Sequence, residues 1–455
     1  MPMKNKSFFL LLVMAVGLFP VGWAQTSVVH RTTEMLGKYS VVREWTKDLS
    51  VVFALDNNDA KYFVLEDHSS NILSRARIPD YVRVTDFRIL HDSVFFCGYC
   101  PYSGTVTKTG IVGHFDIHQV FNGGDVIHYS IIPPYAMYYG MKITEPRRMD
   151  VYEDGCTHIV FVGATEVPAG VGIRPATTVC DTWYDGSNWQ FRYYINKAQD
   201  RIYTDVAANS TYVVAVGTDT TKTSCMVDVF YAVNNIINSQ VFPGYVFNID
   251  GSKPLGDVLV EDVAGPRFAV AYQSETAEGY GTTIHAFDID VPSSALNIVT
   301  SRFVNHVPLG SPLVGWSATD LLYTGSGDLL FLQDTRLGFL SNVESVVFRA
   351  PVSALGTGVL DMYYAPSYRW HKIDRAISLY NTLSGGDSGG RLNIHHNQFP
   401  AMANCAIWKT VEYVDKRPGI VKKAIHWDSA RDYFAPQSYT PIIDIVPIET
   451  KCIDD

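Results

Sequence analysis

The sequence predicts an all-β chain built from about seven similar units, and three observations carry that prediction. The first is a repeat. An Asp recurs at Asp86 (VTDF), Asp150 (RMDV), Asp205 (YTDV), Asp262 (VEDV), Asp320 (ATDL) and Asp374 (KIDR), at intervals of 64, 55, 57, 58 and 54 residues. A period of this size marks a repeat architecture. Three copies also carry a Gly at nearly the same distance beyond the Asp: Gly98, Gly163 and Gly217. The second observation is a succession of short runs rich in Val, Ile, Phe and Tyr, separated by Gly, Pro, Asn and Asp, which read as strands and turns. The third is that scarcely any segment sustains a 3.6-residue apolar period, so little helix is expected.

Taken in order, residues 1–24 read as a secretory signal peptide. Lys4 and Lys6 give a basic start, Phe8 to Phe19 an apolar run, and Gly22-Trp23-Ala24 places small residues at −3 and −1 of a cut before Gln25. The apolar run is too short to span a bilayer. Residues 25–38 follow as a polar leader without clear period. Tyr39 to Ile78 then gives four strands (YSVVREW, LSVVFAL, KYFVLED, ILSRARI), with a turn at Asp56-Asn57-Asn58-Asp59. The next unit runs YVRVTDFRIL, a turn at His91-Asp92, VFFCGY, IVGHFDI and VIHYSII. Later units keep that order, with second strands HIVFVG, YVVAVG, FAVAY, LLFLQ and LNIHH. Lys409 to Arg431 is the least readable stretch and suits a short helix or a long loop. Thr440 to Val446 (TPIIDIV) is a candidate strand closing onto the first unit.

Four antiparallel strands in each unit of roughly 57 residues resemble the β-propeller architecture, and the resemblance extends from Tyr39 to about Asp428. Neither a WD nor a kelch signature is present, so no particular propeller family is implied. The resemblance implies a single domain over residues 39–455. Its blades cover one another's faces around a central channel. Seven blades are expected, or six should Tyr39–Ile78 not form one. A pair of β-sandwiches is the rival, and it predicts no constant period.

Size and charge narrow the function. The chain of 455 residues is longer than one compact core normally supports, which the repeat resolves. A formal charge of −10, more negative still without Lys4 and Lys6, argues against nucleic acid as a partner. No later stretch offers 18 uninterrupted apolar residues, so no membrane span is expected. The chain should be secreted, periplasmic or extracellular. Seven cysteines leave at least one unpaired or paired between chains. Cys97-Gly98-Tyr99-Cys100 has redox spacing but closes a strand, without the helix N-terminus that lowers a thiol pKa in redox folds.

Gly386-Asp387-Ser388-Gly389-Gly390 resembles the nucleophile segment of trypsin-like serine proteases, which would make Ser388 a nucleophile and the Gly386 and Ser388 amides an oxyanion hole. That family's upstream Ala-Ala-His-Cys segment is missing, and Arg391 stands where the family has Pro. The segment also falls where other units place their first hairpin turn, so it is read as a turn. The six repeated carboxylates are read as structural. Calcium held by such a ring is the one cofactor left open. Asp56-Asn57-Asn58-Asp59 fails the calcium-loop pattern at Lys61, and His395-His396 point to opposite faces of a strand. No catalytic residue or metal ligand is assigned. Tyr135, Tyr138, Tyr139, Tyr245, Tyr363, Tyr364, Tyr368 and Trp370 are the candidate ligand-binding residues, read as lying between an outer strand and the next inner one, around one channel mouth. Asp181 to Trp189 joins them if its hairpin lies on that face. The expected function is an exported binding module for a glycan, peptide or protein. A propeller-type glycan hydrolase or lyase is the alternative, and it needs two convergent carboxylates or a His–Tyr pair on that face.

Overall fold

The computed structural model describes residues 26–36, 41–46, 49–55, 61–67, 72–101, 108–123, 127–133, 142–167, 172–195, 201–221, 223–232, 240–247, 253–276, 279–290, 295–308, 316–323, 327–336, 343–355, 361–365, 371–372, 377–382, 389–395, 397–398, 405–415 and 449–450. They form a β-propeller. Six blades are consecutive four-stranded antiparallel sheets. Blade one is Val41–Thr46, Leu49–Leu55, Lys61–Asp67 and Ile72–Ile78. Blade two is Arg83–Leu90, Ser93–Pro101, Lys108–Asp116 and His128–Ile131. Blade three is Lys142–Glu153, Thr157–Val167, Gly172–Tyr184 and Trp189–Ile195. Blades four, five and six begin at Arg201–Ala208, Lys253–Ala264 and Trp316–Tyr323 and follow the same order.

The seventh sheet closes the ring in a way the sequence did not announce. It contains Ile377–Thr382, Gly389–His395 and Cys405–Asp415, and its next strand is Thr26–Leu36, paired antiparallel from Thr26 opposite Asp415 to Leu36 opposite Cys405. The stretch read as a leader is thus a strand of the last blade. The candidate closing strand Thr440–Val446 lies outside the described residues. First strands of successive blades touch one another all the way round, from blade one through blade seven and back to blade one. A closed cycle of first strands makes them the walls of the central channel.

The apolar core sits in the seams between blades. The second strand of blade four, Tyr212–Asp219, shows why it reads as a continuous apolar run. Val213 and Ala215 pack with blade three around Val160, Val162 and Val179, while Val214 and Val216 pack with blade five around Val258, Phe268 and Tyr272. Both pleat faces are covered, so alternation disappears. In the seam between blades one and two, Phe63 meets the rings of Phe53, Phe87, Phe96 and Phe115. Cys97 and Cys100 are free buried thiols on one strand that face opposite seams, Cys97 toward blade three and Cys100 toward blade one. Cys156, Cys180 and Cys225 are also free.

Candidate functional site

The channel wall is built around a device in the first strands of blades two and four. In blade two the pairing with the second strand slips between Val84 and Asp86, and in blade four between Tyr203 and Asp205. The extra residue is a Thr in both. A β-bulge of this kind re-aims the side chains on either side of it. Here it turns a Thr–Asp pair toward the next blade. Thr85 Oγ1 donates to Pro146 O at 2.6 Å, and Asp86 Oδ2 accepts the Met149 N–H at 2.9 Å. Two blades on, Thr204 Oγ1 donates to Val258 O at 2.7 Å, and Asp205 Oδ2 accepts the Val260 N–H at 3.1 Å. Each pair therefore grips a carbonyl and an amide of the neighbouring first strand, and Thr204 Oγ1 also accepts the Val258 N–H at 3.0 Å. The bulge brings the backbone so close to the second strand that a Cβ on Gly98 would lie 2.0 Å from Arg83 O, and one on Gly217 would lie 1.9 Å from Ile202 O. That is the origin of the repeated Gly in the sequence.

Blades three and five use their Asp differently. Asp150 and Asp262 do not follow a bulge of this type; in blade three the slip falls between Pro146 and Arg148. The six repeated Asp residues thus do not occupy equivalent places, because counting along the sequence ignores where the bulge inserts its residue. Asp150 Oδ2 accepts the Ala208 N–H at 2.9 Å, and Asp262 Oδ1 accepts from Asn209 Nδ2 at 2.9 Å, so both hold the end of blade four's first strand, from opposite sides. Asp320 follows a slip like those of Asp86 and Asp205, and the skipped residue is again a Thr, Thr319. Asp374 lies outside the described residues.

Arginines the sequence reading passed over supply the counter-charge. Arg43 Nη2 donates to Asp86 Oδ1 at 3.1 Å, and Arg88 Nε to Asp150 Oδ1 at 3.2 Å. Burial alone would lower the Arg88 guanidinium, but the fields of Asp150, Asp86, Glu261 and Asp205 raise it above its ordinary value. Burial pushes Asp205 up to about 7 against the opposing pull of Arg148 and the Val260 amide. Burial also raises Asp262, to about 6, with Asp150 adding to the rise and Asn209 opposing it. Asp205 therefore exchanges its proton near neutral pH within the channel wall.

A second feature lies at the seam between blades one and two. A short helix, α1 (Ile117–Phe121), stands between the third and fourth strands of blade two, its start capped by Asp116 Oδ1 on the Gln119 N–H at 2.8 Å. Beside it opens a cleft of about 590 Å3 with a floor of Ile78, Val82, Phe96, Val120 and Ile127 and a rim that includes Arg77, Asp80 and Tyr129. Arg77 pairs with Asp80 at 3.3 Å in an exposed ion pair. Tyr129 and Tyr81 share a hydrogen bond of 2.6 Å between their hydroxyls, which is the main reason the Tyr129 phenol is pushed up to about 12. Tyr81, Tyr129 and Ile131 are all more than a third exposed around this seam, at 53%, 37% and 47%. An apolar floor with a few polar groups at the rim is the usual build of a ligand cleft.

Of the aromatic residues named from sequence, Tyr245 lies within the strand Gln240–Phe247, and Tyr363 and Tyr364 within Asp361–Ala365. These are the outer strands of blades four and six, not the connections after them. Tyr, Val and Phe suit a pleated surface, and the strand simply runs on through them. Tyr135, Tyr138, Tyr139, Tyr368 and Trp370 lie outside the described residues. The hairpin at Asp185–Asn188 belongs to the end of the ring that carries the first turn of each blade, since Trp183 stands directly opposite His158 in the ladder. It is therefore on the end opposite the outer-to-inner connections. Ser388 lies outside the described residues. The strands on either side of its segment pair with Thr382 opposite Gly389, which makes the segment the link between the first two strands of blade seven. Sequence reasoning missed Arg43, Arg88, Tyr81 and Tyr129. Of these, Tyr81 had a usable signal, because it sits in an outer-to-inner connection.

No protein-family model matches the sequence, and no curated protein matches it significantly. Solved structures give fold-level likenesses. A subtype N11 neuraminidase-like protein of A/flat-faced bat/Peru/033/2010 (H18N11) is 11% identical, with 89% of this chain and 99% of that one covered and a TM-score of 0.38. The α-L-arabinanase of Penicillium chrysogenum, in complex with arabinobiose, is 12% identical over 85% of this chain and 97% of the enzyme, with a TM-score of 0.35. A post-proline cleaving enzyme from Rickettsia typhi is 7% identical over 86% of this chain but only 54% of its own, with a TM-score of 0.39. At these scores the likenesses carry no functional argument, and the function has to be read from this chain's own residues.

Proposed function

We propose that this chain is an exported interaction module whose ligand is a glycan, a peptide or a segment of another protein. The observation that carries the reading is the cleft between blades one and two. It joins an apolar floor to two exposed tyrosines and an exposed Arg–Asp pair, and tyrosines offer wide, rigid contact area with a polar tip. The channel supports the same reading from the other side. Asp86, Asp150 and Asp205 each hold a neighbouring backbone amide, so these carboxylates are committed to joining blades. Export fits the way the ring closes, because a cut before Gln25 leaves a chain whose first residues are those of the strand Thr26–Leu36. Among the described residues no helix is long and apolar enough to cross a membrane.

Glycan-array and peptide-array screening of the protein, followed by titration of the best ligand, tests the proposal. Tyr129→Ala is expected to cost about 2 kcal/mol or more of affinity while leaving the melting temperature nearly unchanged. Affinity indifferent to Tyr81→Ala and Tyr129→Ala alike would remove the cleft as the binding site. N-terminal sequencing of the exported protein checks the cut, with Gln25 expected as the first residue.

A further inference from the structure

We propose that the first turn of blade three binds a divalent transition-metal ion, zinc by preference, through Asp154, Cys156 and His158. The turn joins Lys142–Glu153 to Thr157–Val167 and reads Asp-Gly-Cys-Thr-His. His158 Nε2 lies 2.8 Å from Asp154 Oδ1 and 3.3 Å from Cys156 Sγ, and Sγ lies 3.8 Å from Asp154 Oδ1. Ligands on a tetrahedral zinc stand about 3.4–3.6 Å from one another. Seating the ion therefore requires the Asp154 carboxylate to swing away from His158 by about 0.6 Å, and the thiol to draw in slightly. A thiolate, an imidazole and a carboxylate together select zinc and its transition-metal neighbours over calcium, which takes oxygen ligands.

The surroundings hold the imidazole as a metal ligand is usually held. His158 is fully buried, and its Nδ1 faces Asp181 Oδ1 at 2.9 Å, so Nε2 is left pointing at the turn. Asp181 is itself buried and fixed, with its other oxygen bonded by the Tyr152 hydroxyl at 2.9 Å and by Arg192. Tyr152 and Trp183 stack on the two faces of the ring, at 4.6 and 5.0 Å between centroids. A carboxylate behind a ligating histidine fixes its tautomer and orientation. Gly155, at φ 103°, makes the tight turn that lets Asp154 and Cys156 both reach Nε2, and a Cβ placed on it would meet nothing within 4 Å. Three protein donors and an open side leave the fourth position to water or to a donor from a partner.

The same residues suggest one rival, a thiol nucleophile at Cys156 with His158 as its base and Asp181 behind it. The geometry favours the metal. A thiol–imidazole pair leaves the Asp154 carboxylate, 2.8 Å from Nε2, without a part, whereas an ion uses all three donors at once.

The full chain, reduced, stripped with EDTA and desalted, is titrated with Co2+ and then Zn2+. Uptake of one Co2+ per chain is expected. It should bring a thiolate-to-cobalt charge-transfer band in the near ultraviolet and visible bands of tetrahedral intensity, all displaced by Zn2+. Cys156→Ser, a change on a partly exposed turn, should abolish the charge-transfer band and weaken Zn2+ retention by about tenfold or more. Asp154→Asn should weaken retention while the band persists. Circular dichroism of both variants guards against misfolding, and His158 is left intact because it is part of the core. The proposal is overturned if wild type takes up no more Co2+ than Cys156→Ser. It is equally overturned if iodoacetamide alkylates Cys156 at the same rate with and without Zn2+, the result a thiol nucleophile predicts.

Discussion

Blades two and four, set against blades three and five, show one residue type doing two jobs. In the first pair an Asp follows a bulged Thr and grips the next blade's first strand through its backbone. In the second pair the Asp does not directly follow the bulge and reaches the end of blade four's first strand, at Ala208 or Asn209. The sequence counts both as one repeated position. The difference teaches that the bulge, which inserts one residue and re-aims the next, decides what the Asp can touch. Distance along the repeat does not. It also sets a buried grip on a neighbour's backbone apart from a partly exposed contact at a strand end.

The largest effect is expected at Asp86. It is fully buried and serves both the Met149 amide and Arg43. Asp86→Ala leaves a buried N–H and a half-buried guanidinium without that partner, and breaking such a pair costs about 3–5 kcal/mol. Urea denaturation should show the loss directly. A cost under about 1 kcal/mol would mean the grip contributes little. Next comes Gly217→Ala. Its Cβ would overlap Ile202 O, a backbone atom that cannot step aside, so about 3 kcal/mol or more is expected. Gly163→Ala should cost less, because its nearest atom, Pro146 Cα, is 2.9 Å away.

The pH dependence of stability sharpens the comparison further. Asp205 has a folded pKa near 7, against about 3.9 for an unfolded Asp. Between those values the folded chain holds a proton that the unfolded chain has released. Stability from this group is therefore complete below about pH 4 and is lost as pH rises through about 7, with a slope of at most about 1.4 kcal/mol per pH unit. Asp205→Asn, which keeps an oxygen for the Val260 amide, should flatten that slope. Denaturant midpoints of both proteins from pH 4 to pH 8 measure it, and parallel curves would show that Asp205 is ionised throughout.

The sequence revealed the period, the strands and the propeller because these rest on local composition and on repetition, which any window of the chain displays. It also pointed at Gly98 and Gly217 without explaining them, since their cause is an approach between two strands. Other features depend on contacts that no local pattern encodes. Thr26–Leu36 is a strand only because Cys405–Asp415, at the far end of the chain, leaves an edge for it. Arg43 and Arg88 looked like single charges on strands that otherwise read as core. The cleft depends on a helix of five residues, too short to show a period. The grouping of His158 with Asp181 joins two strands of one blade and is invisible to spacing.

The smallest effect is expected at Asp262, and it is the sharpest test of the comparison. Its side chain is partly exposed and accepts one bond, from Asn209 Nδ2. Its folded pKa lies near 6, raised by burial and further by Asp150. At pH 7.5 the folded chain must keep this carboxylate ionised in a site that disfavours it. Asp262→Asn removes that charge and retains an oxygen able to accept from Asn209. Lost bond quality and relieved repulsion then oppose each other, and the net change should stay within about 0.5 kcal/mol, the range of a substitution with no named mechanism of damage. The balance should also move with pH. Below about pH 5 the wild-type carboxyl is neutral, the relief vanishes, and the variant should be slightly the less stable of the two. Paired urea titrations at pH 4.5 and 7.5 resolve this. If Asp262→Asn instead costs several kcal/mol at both values, blade five holds its neighbour as firmly as blades two and four do, and the two kinds of Asp become one.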